Sequence, residues 1–376
     1  MKALVITPYY YPKIGGLESY ARQLNKALAS RQQWDIVVVT STSGWRRQTD
    51  VVDGRPVYRL GTVFKLSNTP FNPLWPVQIR RIVVRERPDI IIAHTPVPSM
   101  ADAAAFACGR TPFVVVNHAA TLLKAGSPVF NLAARIYGLM SAFTFRRANR
   151  IFAVSPFVRT RLAPALQAKT AVVPNAVWAD EITPPRAQPS KAHFVFVAQL
   201  SKTHAWKGLA QILEALAIYR SRYGSAVTLT VIGDGDARGM YEQRVQELGL
   251  GTCVQFAGWQ VGDAKAALIR QAMAMVIYPV TENDAFPTVM LEAWSQHVPV
   301  IAARIGALEP LITDGKDGIL CAPGNPEALA ETLHATALMP AAQREQMAAA
   351  AAARTARDYT WERQAAHVAA LVKEIA

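Results

Sequence analysis

The sequence of 376 residues contains little cysteine and no long apolar run. Its three cysteines, Cys108, Cys253 and Cys321, lie far apart without a CxxC pair, which disfavours a disulfide framework and a zinc site. No run approaches the roughly 18 apolar residues of a membrane span. The apolar run at the N-terminus is also too short for a signal peptide. These absences predict a cytoplasmic protein without a bound metal.

Acidic residues are scarce in the first half of the chain. Residues 1–180 hold 23 Lys and Arg against 8 Asp and Glu, a net charge of +15. Residues 181–376 hold 17 against 19, a net charge of −2. Because the whole basic excess lies in one half, we expect that half to meet an anionic partner. Nucleic acid, acidic lipid headgroups and a phosphorylated substrate are the alternatives.

Two common nucleotide-binding motifs are missing from the sequence. There is no GxGxxG after the first strand-like run and no GxxxxGK[ST], which argues against a nicotinamide enzyme and a P-loop hydrolase. The segment VIGDGDARGM, with Gly233, Gly235 and Gly239, only approximates the dinucleotide fingerprint, because its spacing is one residue too long. We interpret this segment as a turn.

Short runs rich in Val and Ile alternate with segments of helical composition. These runs are ALVIT, DIVVVT, PDIIIAH, PFVVVNH and RIFAVS in the first half, and HFVFVAQL, AVTLTVIG, CVQFAGW, MAMVIYPV and VPVIAAR in the second. Continuous apolar runs indicate parallel strands that are covered on both faces. We therefore predict an α/β fold with two Rossmann-like, doubly wound domains that face each other across a cleft.

The strand pattern restarts after the proline-rich segment TPPRAQPSK at 183–191, which suits a linker. We therefore predict an N-terminal domain at 1–180 and a C-terminal domain at 190–358. In open sheets of this kind, ligands bind beyond the carboxyl ends of the strands. The residues that directly follow the apolar runs are thus the candidates for function.

In the first half, glycines and histidines follow the strand-like runs. Gly15 and Gly16 allow a tight turn, and a helix from about Leu17 would aim its free amides at a ligand. An ordinary strand-to-helix turn is the equal alternative. His118 ends VVVNH and His94 ends IIIAH. A lone histidine at a strand end is more often structural than catalytic.

In the second half, Lys207 and Gly208 stand at the junction of a strand segment and a helix. A lysine beside the amides of a helix N-terminus suits a diphosphate, because both contribute positive potential. Lys202 and His204 precede it and either assist or line the loop. A solvated surface lysine is the alternative.

Acidic residues follow the strand MAMVIYPV, in the segment TENDAFPTVMLEAW. Pro287 suits the first position of the helix that carries Glu292. Carboxylates such as Asp284 repel phosphate, but they accept hydrogen bonds from the hydroxyls of a sugar or a ribose. Capping of the helix by acids is the alternative.

Taken in order, these segments resemble the retaining nucleotide-sugar glycosyltransferases of family four, which have the GT-B fold. The resemblance covers nearly the whole chain. It rests on GGLESYARQL, PDIIIAH, TPFVVVNH, RRANRIFAVS, VVPNAV, KGLAQILEAL, DAFPTVMLEAWSQHVPVIAA and DGKDGILCAPGNPEALA. The C-terminal segment DYTWERQAAHVAALVKEIA resembles the helix, here at about 360–376, that crosses back onto the first domain in this fold.

The resemblance implies roles for the candidate residues. The acid pair of the family would bring Asp284 to the sugar hydroxyls and Glu292 to the ribose. Lys207 would hold the diphosphate, with Gly16 approaching it through backbone, and His118 would lie beside the transferred sugar. The implied catalytic residues are His118, Lys207 and Asp284. The implied donor-binding residues are Gly15, Gly16, Gln199, Lys202, Lys207, Gly208, Asp284, Ala285, Phe286, Pro287, Thr288 and Glu292.

Two positions depart from the family pattern. Asp284 stands where the family usually has glutamate, so its carboxylate is one methylene shorter. Gln199 stands where the family usually has arginine. The loss of that cation would either weaken donor binding or shift its role to Lys202 or His204.

The resemblance implies hexosyl transfer with retention from a UDP- or GDP-sugar, without cofactor or metal. The acceptor would be a lipid-linked or envelope glycan, as in polysaccharide or lipopolysaccharide biosynthesis. PLWPVQIRRIVVRERPD and PVFNLAARIYGLMSAFTFRRANR mix apolar residues with arginines, which favours peripheral attachment to the anionic inner face of the cell membrane. Ordinary amphipathic packing is the alternative for each segment.

Two other functions compete with glycosyl transfer. A sugar-nucleotide epimerase shares this architecture and would release nucleotide without any acceptor. A nucleic-acid-binding protein is suggested by the pI of about 9.8. The sequence lacks a helix-turn-helix, RNP or zinc pattern, however, and acids at strand ends would repel a phosphate backbone.

Overall fold

The chain divides into two compact units in the computed structural model, which describes residues 1–13, 15–66, 69–121, 128–224 and 226–375. The first unit comprises Met1–Asn175 and Trp361–Ala376, and the second comprises Ala176–Thr360. The proline-rich segment at 183–191 therefore lies within the second unit.

Most of the strands coincide with the Val- and Ile-rich runs of the sequence. They are β1 Lys2–Ile6, β2 Asp35–Ser41, β3 Gln48–Val52, β4 Arg55–Leu60, β5 Phe64–Leu66, β6 Thr69–Phe71, β7 Ile90–Thr95, β8 Phe113–Asn117, β9 Arg150–Ala153, β10 Thr170–Val172, β11 Ala192–Val197, β12 Val227–Ile232, β13 Val254–Gly258, β14 Ala274–Ile277, β15 Val300–Ala303 and β16 Gly318–Cys321. Strands β1–β10 belong to the first unit and β11–β16 to the second.

Helices follow most of the strands. They are α1 Gly16–Gln32, α2 Trp75–Glu86, α3 Met100–Ala107, α4 Pro128–Arg147, α5 Pro156–Thr160, α6 Pro164–Gln167, α7 Leu209–Tyr223, α8 Arg238–Glu247, α9 Gly262–Arg270, α10 Thr288–Ser295, α11 Leu308–Leu311, α12 Pro326–Leu338, α13 Ala341–Asp358 and α14 Trp361–Lys373, with short 3₁₀ helices at Ala179–Glu181 and Lys202–Lys207.

Helix α14 packs on α1 in the first unit, although 185 residues of the second unit separate it from the rest of that unit in sequence. The Trp361 ring lies edge-on to the Tyr20 ring, with centroids 5.5 Å apart. Arg31 and Glu362 also form an ion pair at 3.2 Å. The first unit is therefore assembled from two separate stretches of the chain.

The larger sheet of the first unit has the strand order β10-β9-β8-β7-β1-β2-β4-β3, and β5 and β6 form a separate antiparallel pair. Neighbouring strands are parallel, except that β3 and β4 form an antiparallel hairpin. Strand β7 is buried along its whole length, as expected for a strand covered on both faces. The strand order reverses between β1 and β7, which makes this point the topological switch point of the sheet.

The sheet of the second unit has the order β13-β12-β11-β14-β15-β16, with every described pair parallel. Its order reverses between β11 and β14. One face carries a core in which Phe194 and Leu229 of the sheet and Leu213 of α7 are fully buried or nearly so. Together the two sheets confirm the predicted α/β class with two doubly wound, Rossmann-like units.

Candidate donor site and histidine pair

The loops that follow β11 and β14 converge at the switch point of the second unit. The loop after β11 contains the 3₁₀ helix Lys202–Lys207 and ends at Gly208, whose φ of +83° is left-handed. A Cβ atom on Gly208 would lie 1.8 Å from the Tyr278 carbonyl oxygen. Only glycine therefore lets the two loops approach this closely. The approach places Lys207 beside the loop that carries Asp284.

Lys207 and Asp284 form an ion pair at this point. Lys207 Nζ lies 2.5 Å from Asp284 Oδ2, and the two side chains are 26% and 14% exposed. Lys207 Nζ also lies 4.4 Å from the centroid of the Trp206 ring. The Trp206 carbonyl accepts a hydrogen bond from the Val280 N–H at 2.8 Å, which ties the two loops together. A partly exposed pair of opposite charges can exchange its internal contact for contacts to a ligand, the ammonium with phosphate and the carboxylate with hydroxyls.

Helix α10 begins one residue later than the sequence predicts. Pro287 is its N-cap, with an extended ψ of 98°, and Thr288 is the first helical residue. The prediction of Pro287 at the first helical position is wrong by one residue, because proline fixes φ but not ψ. Ala285, Phe286 and Pro287 are buried, whereas Thr288 is exposed. Thr288 therefore presents the N-terminal end of the helix to solvent.

Glu292 lies in the second turn of α10 and contacts a lysine that sequence reasoning missed. Lys265 Nζ, from α9, lies 2.8 Å from Glu292 Oε1. The other carboxylate oxygen, Oε2, is buried and has no hydrogen-bond partner among the described residues. A buried carboxylate oxygen without a partner is costly, and a donor such as a ligand hydroxyl that reached it would remove this cost. Nothing in the segment GDAKAALIR marks Lys265 as a site residue.

Two further candidates, Gln199 and Lys202, are exposed on the loop after β11. The Lys202 backbone N–H donates to Asp236 Oδ1 at 3.0 Å, which fixes the start of the 3₁₀ helix. His204 Nδ1, in the same helix, lies 2.6 Å from Oγ of the N-cap residue Ser201. Basic side chains therefore follow one another along the loop that ends at Lys207.

Gly15 and Gly16 open α1 in the first unit. Gly15 is the N-cap, and a Cβ atom on it would lie 2.3 Å from Glu18 Oε2. A Cβ atom on Gly16 would meet no described atom within 4 Å. The end of α1 is therefore approachable at Gly16, and the N–H groups of the first helical turn favour a negatively charged group there.

His118 lies against a second histidine at the end of the neighbouring strand. In the parallel pairing of β7 and β8, His94 lies opposite Val116. His118, two residues further on, therefore faces the same side of the sheet. His94 Nδ1 and His118 Nε2 are 2.9 Å apart. Burial lowers the pKa of His94 to about 3, and burial together with the adjacent His94 lowers the pKa of His118 well below its ordinary value.

The predicted site residues thus fall into two groups. Gly15, Gly16 and His118 belong to the first unit, and the remaining predicted residues belong to the second. Within the second unit the structure brings Lys207, Gly208 and Asp284 together at the switch point. The roles of all these residues remain predictions.

Two further features bear on ligands and membranes. Among the residues that the structure describes, no group of three or more His, Cys, Asp or Glu is arranged to hold a metal ion. The helices within the described ranges are all too short or too polar to cross a membrane.

Two family models match the chain, one in each half. The model described as Glycosyltransferase Family 4 matches residues 14–181, and the model described as Glycosyl transferases group 1 matches residues 191–337. Both sides of the predicted domain boundary therefore resemble parts of the same kind of protein.

Similar proteins are found along the full length of the chain. A phosphatidyl-myo-inositol mannosyltransferase of Mycobacterium leprae is 26% identical, over 100% of this chain and 97% of its own. The lipopolysaccharide core biosynthesis glycosyltransferase LpsE of Rhizobium meliloti is 24% identical over 87% of each chain. The crystal structure of Anabaena HepE in complex with UDP has a TM-score of 0.77 at 21% identity and covers 100% of both chains. At this identity, the likeness to HepE shows the fold.

Proposed function

Since the chain belongs to glycosyltransferase family 4 and has the GT-B fold, we propose that it moves a hexose from a UDP- or GDP-sugar to a lipid-linked or cell-envelope glycan, with retention of anomeric configuration. The observation that carries this proposal is the Lys207–Asp284 ion pair, at 2.5 Å, at the switch point of the second unit. A nucleic-acid-binding function gains nothing from this pair, because Asp284 would repel a phosphate backbone.

The ion pair suits a donor that carries both phosphate and hydroxyl groups. When a diphosphate reaches Lys207, its charge replaces that of Asp284 as the partner of the ammonium. Asp284 is then free to accept hydrogen bonds from the sugar hydroxyls, which are donors that a carboxylate binds strongly. The exposed start of α10 at Thr288 adds the favourable potential of a helix N-terminus on the same side.

Glu292 is proposed to bind the ribose. Its buried Oε2 atom has no partner among the described residues, while Lys265 holds Oε1 at 2.8 Å. A ribose hydroxyl that donates to Oε2 would satisfy this atom. The ion pair with Lys265 orients the carboxylate and offsets its negative charge, which lies close to the donor phosphates.

The proposed reaction needs no nucleophile from the protein. The acceptor oxygen bonds to the anomeric carbon as the bond from that carbon to the diphosphate oxygen breaks. The proton of the acceptor passes to the leaving phosphate oxygen on the same face, so the configuration is retained. Lys207 stabilises the charge that develops on the leaving group, an electrostatic effect that often dominates catalysis. His118 is proposed to lie beside the transferred sugar as a neutral hydrogen-bonding partner.

The acceptor class is supported by the surface of the first unit. Phe106 of α3 and Phe143 of α4 are 67% and 43% exposed, and their rings stack with centroids 4.6 Å apart. Leu139, on the same helix as Phe143, is 80% exposed. Arg110 and Arg146 are exposed near these apolar groups in sequence. Exposed aromatic and aliphatic side chains with arginines favour an anionic membrane surface, where a lipid-linked acceptor would be found.

The names of two similar proteins support the same acceptor class. The mycobacterial relative is a phosphatidyl-myo-inositol mannosyltransferase, and LpsE takes part in lipopolysaccharide core biosynthesis. The sequence predicts that residues 128–150 attach to the membrane surface. Within this segment, the side chains at 128–130, 133 and 136 lie outside the described residues. The proposal therefore rests on the remaining side chains of α3 and α4.

The test is a transfer assay with a panel of UDP- and GDP-hexoses and lipid-linked acceptors. We expect one donor to be consumed in the presence of acceptor, and NMR of the product to show the anomeric configuration of the donor. An inverted product would contradict retention. Interconversion of the free sugar nucleotide or its hydrolysis to an epimerised sugar, without acceptor, would identify an epimerase instead.

A further inference from the structure

His94 has no role in the proposed reaction, yet it is held in direct contact with His118. It is 1% exposed, and its Nδ1 atom lies 2.9 Å from His118 Nε2. The ring centroids are 5.2 Å apart with planes inclined by 27°. An apolar ring could fill the same space without the cost of burying a polar group. Packing alone therefore does not explain a histidine at this position.

The contact links the protonation states of the two rings. Both imidazoles are neutral, so each carries one N–H group, and one of the two facing nitrogens must donate while the other accepts. If His94 Nδ1 donates, the proton of His118 resides on Nδ1. If His118 Nε2 donates, its Nδ1 atom has a free lone pair. The tautomers of the two rings are therefore linked, and the linked state decides whether His118 offers a donor or an acceptor at its remaining nitrogen.

The surroundings hold this pair in place. Tyr20 of α1 lies edge-on to both rings, with its centroid 4.7 Å from that of His118 and 5.9 Å from that of His94. The hydroxyl of Tyr20 donates to the Val173 carbonyl at 3.0 Å, so this ring is fixed by a second contact. The backbone N–H of His118 donates to the Thr95 carbonyl at 3.3 Å, which continues the pairing of β7 and β8. Among the described residues, the ring contacts of the pair are thus those with Tyr20 and those between the two imidazoles.

We propose that His94 is a positioning residue: it holds His118 in a single neutral tautomer, so that His118 Nδ1 meets the transferred sugar with one fixed hydrogen-bonding role. This inference rests on the proposed function for the identity of the ligand. It rests on the geometry of the first unit alone for the coupling of the two rings. A fixed tautomer matters because a ring that alternates between donor and acceptor offers the required group only part of the time.

The experiment compares two substitutions of His94. His94→Phe keeps a ring of similar size but removes the nitrogen, whereas the amide of His94→Asn can place a polar atom near the former Nδ1 position. Histidine-selective ¹⁵N NMR of the full chain reports the tautomer of His118 directly. We expect one tautomer in the unsubstituted protein and a mixture of both in His94→Phe. A single tautomer that survives in His94→Phe would overturn the inference.

Kinetics give a second readout. We expect His94→Phe to lower kcat about tenfold, the effect of one hydrogen bond to a neutral group. His94→Asn should recover most of this loss, although it fills the space less well. The dissociation constant for UDP or GDP should stay unchanged, because His94 is buried and is not among the residues proposed to bind the nucleotide. A purely structural role predicts the opposite order, with Phe tolerated better than Asn.

A double substitution separates coupling from packing. In a His118→Ala background, we expect His94→Phe to cause no further loss of kcat, because His94 acts only through His118. An equal loss of kcat on His94→Phe in the unsubstituted and the His118→Ala proteins would contradict a positioning role of His94. If no donor and acceptor support transfer in the unsubstituted protein, the proposed function fails, while the NMR comparison still decides whether His94 fixes the tautomer.

Discussion

Lys265 Nζ lies 2.8 Å from Glu292 Oε1, while the second oxygen of the same carboxylate is buried without a partner among the described residues. The lysine thus holds one oxygen of the carboxylate and leaves the other without a partner. Our first prediction concerns this unpartnered acceptor, which we propose binds the ribose.

Glu292→Gln should weaken binding of UDP or GDP by about tenfold or more, the usual loss when a charged hydrogen bond becomes a neutral one. The loss should be equal for the free nucleotide and the nucleotide sugar, because both contain the ribose. Isothermal calorimetry measures both constants, and Glu309→Gln, an exposed acid on α11, is the control. A loss confined to the nucleotide sugar would assign Glu292 to the sugar and not to the ribose.

Substitutions at Lys207 and Asp284 should both slow transfer, for different physical reasons, although the two residues form one ion pair. Lys207→Ala should lower kcat by about three powers of ten, because it removes the charge that stabilises the leaving diphosphate. Asp284→Asn should also slow transfer but bind UDP or GDP at least as tightly, since it removes a charge that repels phosphate. Steady-state kinetics and calorimetry test both, with exposed Lys316→Ala as the control. Near-normal turnover of Lys207→Ala would remove this residue from the mechanism.

Gly208→Ala should destabilise the second unit more than a matched glycine substitution. Gly208 has a φ of +83°, and a Cβ atom there would lie 1.8 Å from the Tyr278 carbonyl oxygen. Gly315 has a similar φ of +74° with no described atom within 4 Å of its Cβ position. We therefore expect Gly315→Ala to cost about 1 kcal/mol from backbone strain alone, and Gly208→Ala clearly more. Urea unfolding measures both, and equal losses would contradict the close approach of the two loops.

The exposed aromatic pair of the first unit should contribute to membrane binding. Replacing Phe106 and Phe143 together by Ser should weaken binding to phosphatidylglycerol vesicles by at least about tenfold, because two large apolar groups no longer leave water. Added salt should weaken binding of the unsubstituted protein, since it screens the arginines. Vesicle sedimentation measures binding, and Trp259→Ser, at a residue 56% exposed on the second unit, is the control. Unchanged binding would place the membrane surface elsewhere.

Acid should destabilise the first unit through the histidine pair. Burial lowers the pKa of His94 to about 3 and, with His94 beside it, lowers that of His118 well below its ordinary value. The unfolded chain binds protons at these residues below about pH 6.5, so it carries more protons than the folded state there. The free energy of unfolding is therefore not lowered by this pair above that pH, and it falls as the pH drops below it. Between pH 7 and 5, the melting temperature of His94→Asn should fall by less than that of the unsubstituted protein. Calorimetry measures both melting temperatures. An equal fall in the two proteins would contradict a role of the histidine pair in acid destabilisation.

The sequence predicts the buried parallel strands well because they are continuous apolar runs. Strand β7, IIIAHT, is buried at every position, and its apolar run predicts a covered parallel strand. The hairpin of β3 and β4 was not predicted, since Gln48–Val52 is exposed at all but its last residue and shows no apolar run. Asp53 and Gly54, both with positive φ between these strands, were the available turn signal.

The contacts of the candidate site depend on strand order, which a single sequence does not give. Lys207 and Asp284 are 77 residues apart, and they meet because β11 and β14 are neighbours across the switch point. The His94–His118 contact follows from the register of β7 and β8, which places the two side chains on one face. Lys265 carries no local signal, because its role arises only where α9 and α10 meet.

The packing of α14 on α1 has a consequence for how the protein is made. The second unit, Ala176–Thr360, is a continuous stretch and can close its core as soon as it leaves the ribosome. The first unit lacks α14 until synthesis has passed Lys373, so the half that begins first is completed last. Removing α14 would therefore disturb the first unit, and a nascent chain would expose the surface of α1 that α14 covers until α14 has been made.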